Sequence, residues 1–186
     1  MTRENFLQRL ECNPIIAAVK ADGWQAAMQS PAEVVFHLKA NLMTIRQQAE
    51  EARSFGKLLF VHLDLAEGIG KDRAGIDFLA DCGVSGILST RNQLITFARE
   101  RGLLTVQRFF ALDSQGVSAI TDQRSLGGAD VVEIMPGVIG KVIRRVADLG
   151  AAVIAGGLIE TKAEVTAALQ QGALAVSTGK KELWDL

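Results

Sequence analysis

The sequence predicts a compact, single TIM-like (β/α)8 barrel with a truncated last helix, formed by residues 1–186 as one domain. Three observations lead there. Eight short apolar runs alternate with amphipathic segments, a pattern that fits a closed barrel or an open doubly wound sheet. No glycine-rich dinucleotide turn follows the first run, where Lys20-Ala21-Asp22-Gly23 stands instead, and this counts against the open sheet. The small residues suited to holding an anion, Gly156-Gly157 and Ser177-Thr178, close the seventh and eighth runs, where such a barrel seats a phosphate.

The predicted strands are Pro14–Val19, Val34–Leu38, Lys57–Leu65, Val84–Ser89, Leu104–Phe110, Asp130–Met135, Ala151–Ala155 and Leu174–Ser177. The predicted helices are Asn41–Ser54, Asp72–Asp81, Asn92–Arg101, Asp113–Ser125, Pro136–Leu149 and Thr161–Gln171. Gly56, Gly83, Gly102, Gly150 and Gly172 each follow a helical pattern, at the position that favours a left-handed residue. Thr161-Lys162-Ala163-Glu164 reads as a capping box. Pro136 is expected to open its helix, where its missing amide hydrogen costs nothing. Leu42, Ile45, Ala49 and Ala52 form one apolar stripe. After the eighth strand Lys180–Leu186 leaves room for a stub, and Leu183, Trp184 and Leu186 must cover the barrel wall or a neighbouring subunit. A homo-oligomer is compatible with this.

Hydrophobic residues make up 48% and charged residues 22% of the chain, with mean hydropathy +0.20. That lean toward apolar residues is expected of parallel strands buried on both faces. No apolar run approaches the roughly 20 residues that span a bilayer, and Met1-Thr2-Arg3-Glu4-Asn5 carries no apolar signal core. The expectation is a cytoplasmic protein with no membrane partner. Cys12 and Cys82 lack metal-type spacing and are expected to be reduced structural thiols. The net charge of −1, from 20 basic and 21 acidic residues, counts against nucleic-acid binding unless a basic patch is local.

Functional groups of a barrel gather at the carboxyl ends of its strands. Those ends read Lys20, Lys39, Asp64 with Glu67, Ser89-Thr90-Arg91, Gln107-Arg108, Glu133, Gly156-Gly157 and Ser177-Thr178. A glycine pair lets backbone amides approach an anion, although Gly156-Gly157 also suits a tight turn and Ser177-Thr178 an ordinary helix cap. Their joint position after the last two strands favours phosphate. His62 and Asp64, two apart, read either as a general base with its orienter or as a polar layer bonded to Gln107 or Glu133. His37 reads as structural. Lys20 reads as a Schiff-base lysine or, given the polar turn after it, as a solvated charge facing an anion. Asp64, Glu67 and Glu133 are oxygen donors suited to Mg²⁺, but no metal site is assigned. Lys141, Arg144 and Arg145 share a helix face of ordinary solvated type, and Phe109-Phe110 read as core rather than a base-stacking platform.

These segments together resemble the glycerol-3-phosphate-responsive antiterminators, bacterial RNA-binding regulators of the glycerol operon. The resemblance is carried by Asn13–Val19, Val61-His62-Leu63-Asp64-Leu65, Gly86–Arg91, Val106–Asp113, Val132–Gly137, Ala155–Ile159, Val176-Ser177-Thr178 and Leu183-Trp184. It covers nearly the whole chain in order. It implies a barrel that binds glycerol 3-phosphate as effector, with no cofactor and no catalytic residue, and then stabilises leader mRNA so that transcription reads through a terminator. The implied phosphate ligands are Gly156, Gly157, Ser177 and Thr178, with Lys20, Asp64, Arg91 and Glu133 as polar partners. Lys20 stands where some relatives have arginine, which keeps the charge but loses a bidentate fork. The residues alone leave an alternative: a phosphate-binding isomerase or aldolase acting on a small phosphorylated polyol or sugar, with Asp64 or Glu133 as acid or base.

Overall fold

A computed structural model describes residues 2–121 and 128–186. Eight parallel strands, β1 (Ile15–Val19), β2 (Val34–His37), β3 (Leu58–His62), β4 (Gly86–Ser89), β5 (Leu104–Phe110), β6 (Val131–Met135), β7 (Val153–Gly156) and β8 (Ala175–Thr178), pair in chain order. The barrel closes where β8 meets β1, in register from Ile15↔Val176 to Ala17↔Thr178. Around it run α1 (Arg3–Cys12), α2 (Trp24–Gln29), α3 (Ile45–Ser54), α4 (Arg73–Cys82), α5 (Asn92–Glu100), α6 (Ser114–Thr121), α7 (Gly140–Ala147) and α8 (Lys162–Gln170).

Strand side chains alternate between two faces, and the two faces bury separate clusters. The outward set, including Val35, Val61, Ile87, Ile134 and Val176, packs under helix residues such as Ile45, Ala49, Ile76, Leu94, Ile143 and Val165. The inward set, including Ile16, Val34, Phe36, Phe60, Leu88, Val106 and Ile154, fills the amino-terminal half of the barrel. Helix α1 closes that end. Thr2 caps it by accepting a hydrogen bond from the Asn5 amide at 3.3 Å, and Phe6 and Leu10, both fully buried, join the inward cluster. The Phe6 ring lies 4.8 Å from that of Phe60.

The glycine stops hold: Gly56, Gly83, Gly102, Gly150 and Gly172 all have positive φ. So does the capping box, in which Thr161 and Glu164 bond each other's backbone amides. Leu183 and Trp184 are buried, and the Trp184 indole donates to the Thr178 carbonyl at 2.8 Å.

Several boundaries depart from expectation. Helices α1 and α2 lie outside the predicted elements, because one carries only Phe6, Leu7 and Leu10 as large apolar residues and the other has six residues. Strand β3 ends at His62, and Leu63–Leu65 forms a 3-10 turn. Leu42 lies outside α3 and is exposed. Pro136 does not open α7, which starts at Gly140. The Gly137 amide donates to the carbonyls of Gly156 (2.6 Å) and Gly157 (3.0 Å), tying the chain to the end of β7 before it can wind. Phe109 is half-buried against the core, but Phe110 is 46% exposed. Residues 122–125 of the expected helix Asp113–Ser125 lie outside the described residues.

Truncating the plug should be costly. Phe6→Ala is expected to destabilise the protein by about 3–5 kcal/mol, read in denaturant unfolding as a lower midpoint at unchanged slope.

Candidate functional site at the carboxyl ends of the strands

Above the apolar half, the inward positions turn polar. Arg108 of β5 and Glu133 of β6 are register partners and form a buried ion pair, with Arg108 Nε donating to Glu133 Oε2 at 2.6 Å. The hydroxyl of Ser177 on β8 donates to the other carboxylate oxygen, also at 2.6 Å. Glu133 is fully buried, so both of its oxygens need partners, and both have them. Strand β7 passes between β6 and β8 and contributes Gly156 at this level. A Cβ there would overlap Glu133 Oε1 and come within 2.9 Å of Ser177 Oγ. Glycine at 156 is therefore a requirement of the buried pair.

Over this cluster opens a cavity of about 380 Å³, lined among others by Arg108, Met135, Gly157, Leu158, Gly179 and Lys180. Gly157 has φ +74, and the next residue, Leu158, also has positive φ (58) although it carries a branched side chain. Such a backbone persists only where its surroundings impose it. The amides of Gly157 and Gly179 have no acceptor among the described residues. Of the Arg108 guanidinium, Nε alone is hydrogen-bonded among the described residues, so its terminal nitrogens are left for the cavity. Lys180 reaches Glu160 at 3.4 Å across the rim.

The predicted site residues fall into three places. Gly157, Ser177 and Thr178 line the cavity and Gly156 underlies it, but the Thr178 hydroxyl points away: it donates to the Ile159 carbonyl at 2.8 Å and accepts from the Lys180 amide. Glu133 lies beneath the cavity with Arg108. Asp64 and Arg91 gather at the ends of β3 and β4, away from that lining. The Asp64 carboxylate accepts from Ser89 Oγ (2.8 Å), Thr90 N (2.7 Å) and Thr90 Oγ1 (3.0 Å), with Arg91 Nε at 3.6 Å. Burial works to raise the Asp64 carboxyl, but His62 and the hydrogen bonds from Thr90 and Ser89 outweigh it and hold it well below the ordinary carboxylate range. Lys20 is exposed and stands outside the cavity lining.

His62 follows Phe60 on the inward face and is buried, yet neither ring nitrogen is in a hydrogen bond. Its Nε2 lies 3.6 Å from Asp64 Oδ2, an ion-pair separation beyond hydrogen-bond length. The expected bonds from His62 to Gln107 or Glu133 are not made. Gln107 sits on the outer face beside the inward Arg108, and Glu133 is engaged elsewhere. His37 is buried, with Nε2 3.2 Å from Gln48 Oε1 and its ring 5.5 Å from Trp24. No group of three histidine, cysteine or acidic side chains suited to a metal occurs among the described residues. Sequence reasoning placed Arg108 in the ring of strand ends but not among the ligand residues. The available signal was its parity with Leu104 and Val106, both inward.

The family described as glycerol-3-phosphate responsive antiterminator matches residues 15–184. A glycerol uptake operon antiterminator-related protein from Thermotoga maritima is 34% identical, with TM-score 0.83, covering 94% of this chain and 99% of that one. A glycerol uptake operon antiterminator regulatory protein from Listeria monocytogenes is 32% identical, with TM-score 0.81, covering 91% and 94%. The uncharacterized protein YgcP of Escherichia coli (strain K12) is 33% identical over 184 residues, 97% of this chain and 96% of its own. At 11% identity and TM-score 0.71, an aldolase shares the barrel fold alone.

Two outcomes follow from the buried groups. Glu133→Gln leaves Arg108 facing a neutral amide and should cost about 3–5 kcal/mol in denaturant unfolding, the range for breaking a buried pair. Asp64, with its depressed pKa, contributes stability that is present above the unfolded carboxylate value of about 3.9 and lost as pH falls through the lower folded value. Asp64→Asn should therefore flatten the acid limb of a stability–pH curve below about pH 4.

Proposed function

The chain belongs to the glycerol-3-phosphate responsive antiterminator family, and on that premise we propose that it binds glycerol 3-phosphate at the ends of β7 and β8. In the loaded state it binds leader mRNA, so that transcription reads through a terminator ahead of glycerol-metabolism genes. The observation that carries the ligand half is the cavity itself. Two free glycine amides and Lys180 stand at one side, and the Arg108 guanidinium with Ser177 stands at its floor. Converging backbone N–H groups beside a cation suit a phosphate. The donors at the floor suit the hydroxyls of a small polyol.

In this reading Gly157 and Gly179 donate to the phosphate, and Gly156 supplies the clearance that lets the floor form. Ser177 and Arg108 meet the hydroxyls, and Thr178 acts through its backbone. Glu133 orients the guanidinium, while Asp64 fixes Ser89, Thr90 and Arg91 along the neighbouring rim. Lys20 adds positive charge from solvent. No cofactor is required. The engagement of both candidate acid–base carboxylates supports a sensor rather than a catalyst: Glu133 is paired on each oxygen, and Asp64 is kept ionised by hydroxyl and amide donors.

The test is a thermal-shift comparison of glycerol 3-phosphate, glycerol and inorganic phosphate, followed by leader-RNA binding with and without the strongest ligand. Glycerol 3-phosphate at 100 times its dissociation constant should add about 2.7 kcal/mol of stability. RNA affinity should rise with ligand and fall with salt. RNA binding that ignores the ligand, or turnover of a phosphorylated three-carbon compound, would overturn the reading. Gly179→Asp isolates the seat. A Cβ there meets nothing closer than the Ala18 carbonyl at 3.6 Å, so the variant should fold normally while its carboxylate repels phosphate and abolishes the thermal shift.

A further inference from the structure

We propose that leader RNA docks on the face of α7 that carries Lys141, Arg144 and Arg145, together with the β5–α6 corner at Leu112. This rests on the regulatory reading above and adds where the RNA sits. All three α7 cations are exposed, and none forms an ion pair among the described residues. Some exposed cations elsewhere are paired, among them Arg73 with Glu100 and Arg101 with Asp77 and Asp81, whereas here three stand together on one helix face, with Arg144 donating only to the neutral Gln171 amide at 3.1 Å. In a chain of net charge −1, this is a local surplus of the kind that phosphate binding needs.

The acidic groups nearby form no ion pair with these cations among the described residues. Asp113 lines the same cavity as Lys141 and Arg145, but its Oδ1 accepts from the Gly116 amide at 2.8 Å. Glu164 shares a groove with Lys141, but its Oε2 accepts from the amides of Glu160 and Thr161 at 2.8 and 2.9 Å. Asp148, exposed just beyond the helix, forms no ion pair with any of them. Helix stability accounts for two of the cations but not the third. Arg144 and Arg145 stand in the last turn, where positive charge is favoured by the macrodipole, whereas Lys141 stands in the first turn, where it is disfavoured. Helices α1 and α8 carry Glu4 and Glu164 at that place.

The surface beside these cations suits nucleic acid. A cavity of about 660 Å³ lies between α6 and α7, lined by Leu112, Ser114, Ile139, Lys141 and Arg145 among others. Leu112 is 81% exposed at its edge, and Phe110, two residues earlier, is also exposed. Cations flanked by exposed apolar groups offer phosphates and bases a contact each. The face is also wired to the ligand seat. The Gly137 amide bonds the carbonyls of Gly156 and Gly157, and a Cβ on Gly137 would lie 2.8 Å from Gly156 N. Three residues later α7 begins. A phosphate held at Gly157 therefore acts on the segment that sets the position of α7, the differential contact that ligand control of RNA affinity demands.

The experiment measures leader-RNA affinity across a salt series for the wild-type chain, for Lys141→Ala/Arg144→Ala/Arg145→Ala, and for Lys141→Ala alone. A fourth variant, Arg73→Ala/Arg101→Ala, removes paired cations elsewhere. The glycerol 3-phosphate thermal shift of each variant controls for an intact ligand seat. The slope of log affinity against log salt should fall by about 0.7–0.9 for each phosphate contact removed, so by about 2–3 in the triple variant and by less than 1 in Lys141→Ala. The fourth variant should match the wild type. Wild-type RNA binding that the triple variant keeps in full, or that the fourth variant loses instead, overturns this inference and leaves the regulatory reading standing. Absence of RNA binding by the wild type overturns that reading, and this one with it.

Discussion

The carboxylate of Glu133 is the constraint around which the carboxyl end of the barrel is built. A charge with no solvent exposure costs several kcal/mol unless it is paired and fully hydrogen-bonded. Its partners come from different strands, Arg108 from β5 and Ser177 from β8. Between them β7 must pass without a side chain, which is why Gly156 stands there. One buried charge thus relates the ends of β5, β6, β7 and β8 to one another. The cavity that opens above them inherits that geometry, including the left-handed backbone of Gly157 and Leu158.

The two ends of the barrel divide the labour. At the amino end the inward layer is closed by Phe6 and Leu10 over Phe36 and Phe60, and Gly86 leaves the space that the Phe60 ring occupies. Packing there is dense and apolar, so it supplies stability without regard to ligand. At the carboxyl end the inward layer is Arg108, Glu133, Ser177 and His62, which stabilises little by hydrophobic burial and depends on exact pairing. A small barrel can carry a polar centre because its other half is a plugged hydrocarbon core.

Much of this was legible in the sequence where local chemistry decides. The eight strands, the five glycine stops and the Thr161–Glu164 box follow from periodicity and capping, and the structure keeps them. What was illegible depends on contacts between distant residues. Pro136 reads locally as a helix start, but the Gly137 amide is held by β7 and delays α7 to Gly140. Ser177 and Thr178 read alike as small residues at a strand end, but strand parity turns the Ser177 hydroxyl inward to Glu133 and the Thr178 hydroxyl toward Ile159. Parity also explains Arg108, whose inward position follows from the register of β5 once the inner face is known, and not from its own residue type. Helix α1 escaped because its apolar signal is short, Phe6, Leu7 and Leu10, and its value lies in the barrel end that these residues plug.

The near-neutral charge of the chain argued against a nucleic-acid partner only so long as the charges were counted without regard to position. In the folded protein some exposed cations, such as Arg73 and Arg101, are matched by carboxylates on or beside adjacent helices, and such pairs are worth little to stability, with a median of about 0–1 kcal/mol. They nevertheless cancel the local field. Near α7, Asp113 and Glu164 accept from helix-start amides, and Lys141, Arg144 and Arg145 stand without an ion pair among the described residues. A protein can therefore stay close to zero net charge and still present one positive face. That face begins on the helix that starts three residues after Gly137, whose amide bonds the carbonyls of Gly156 and Gly157.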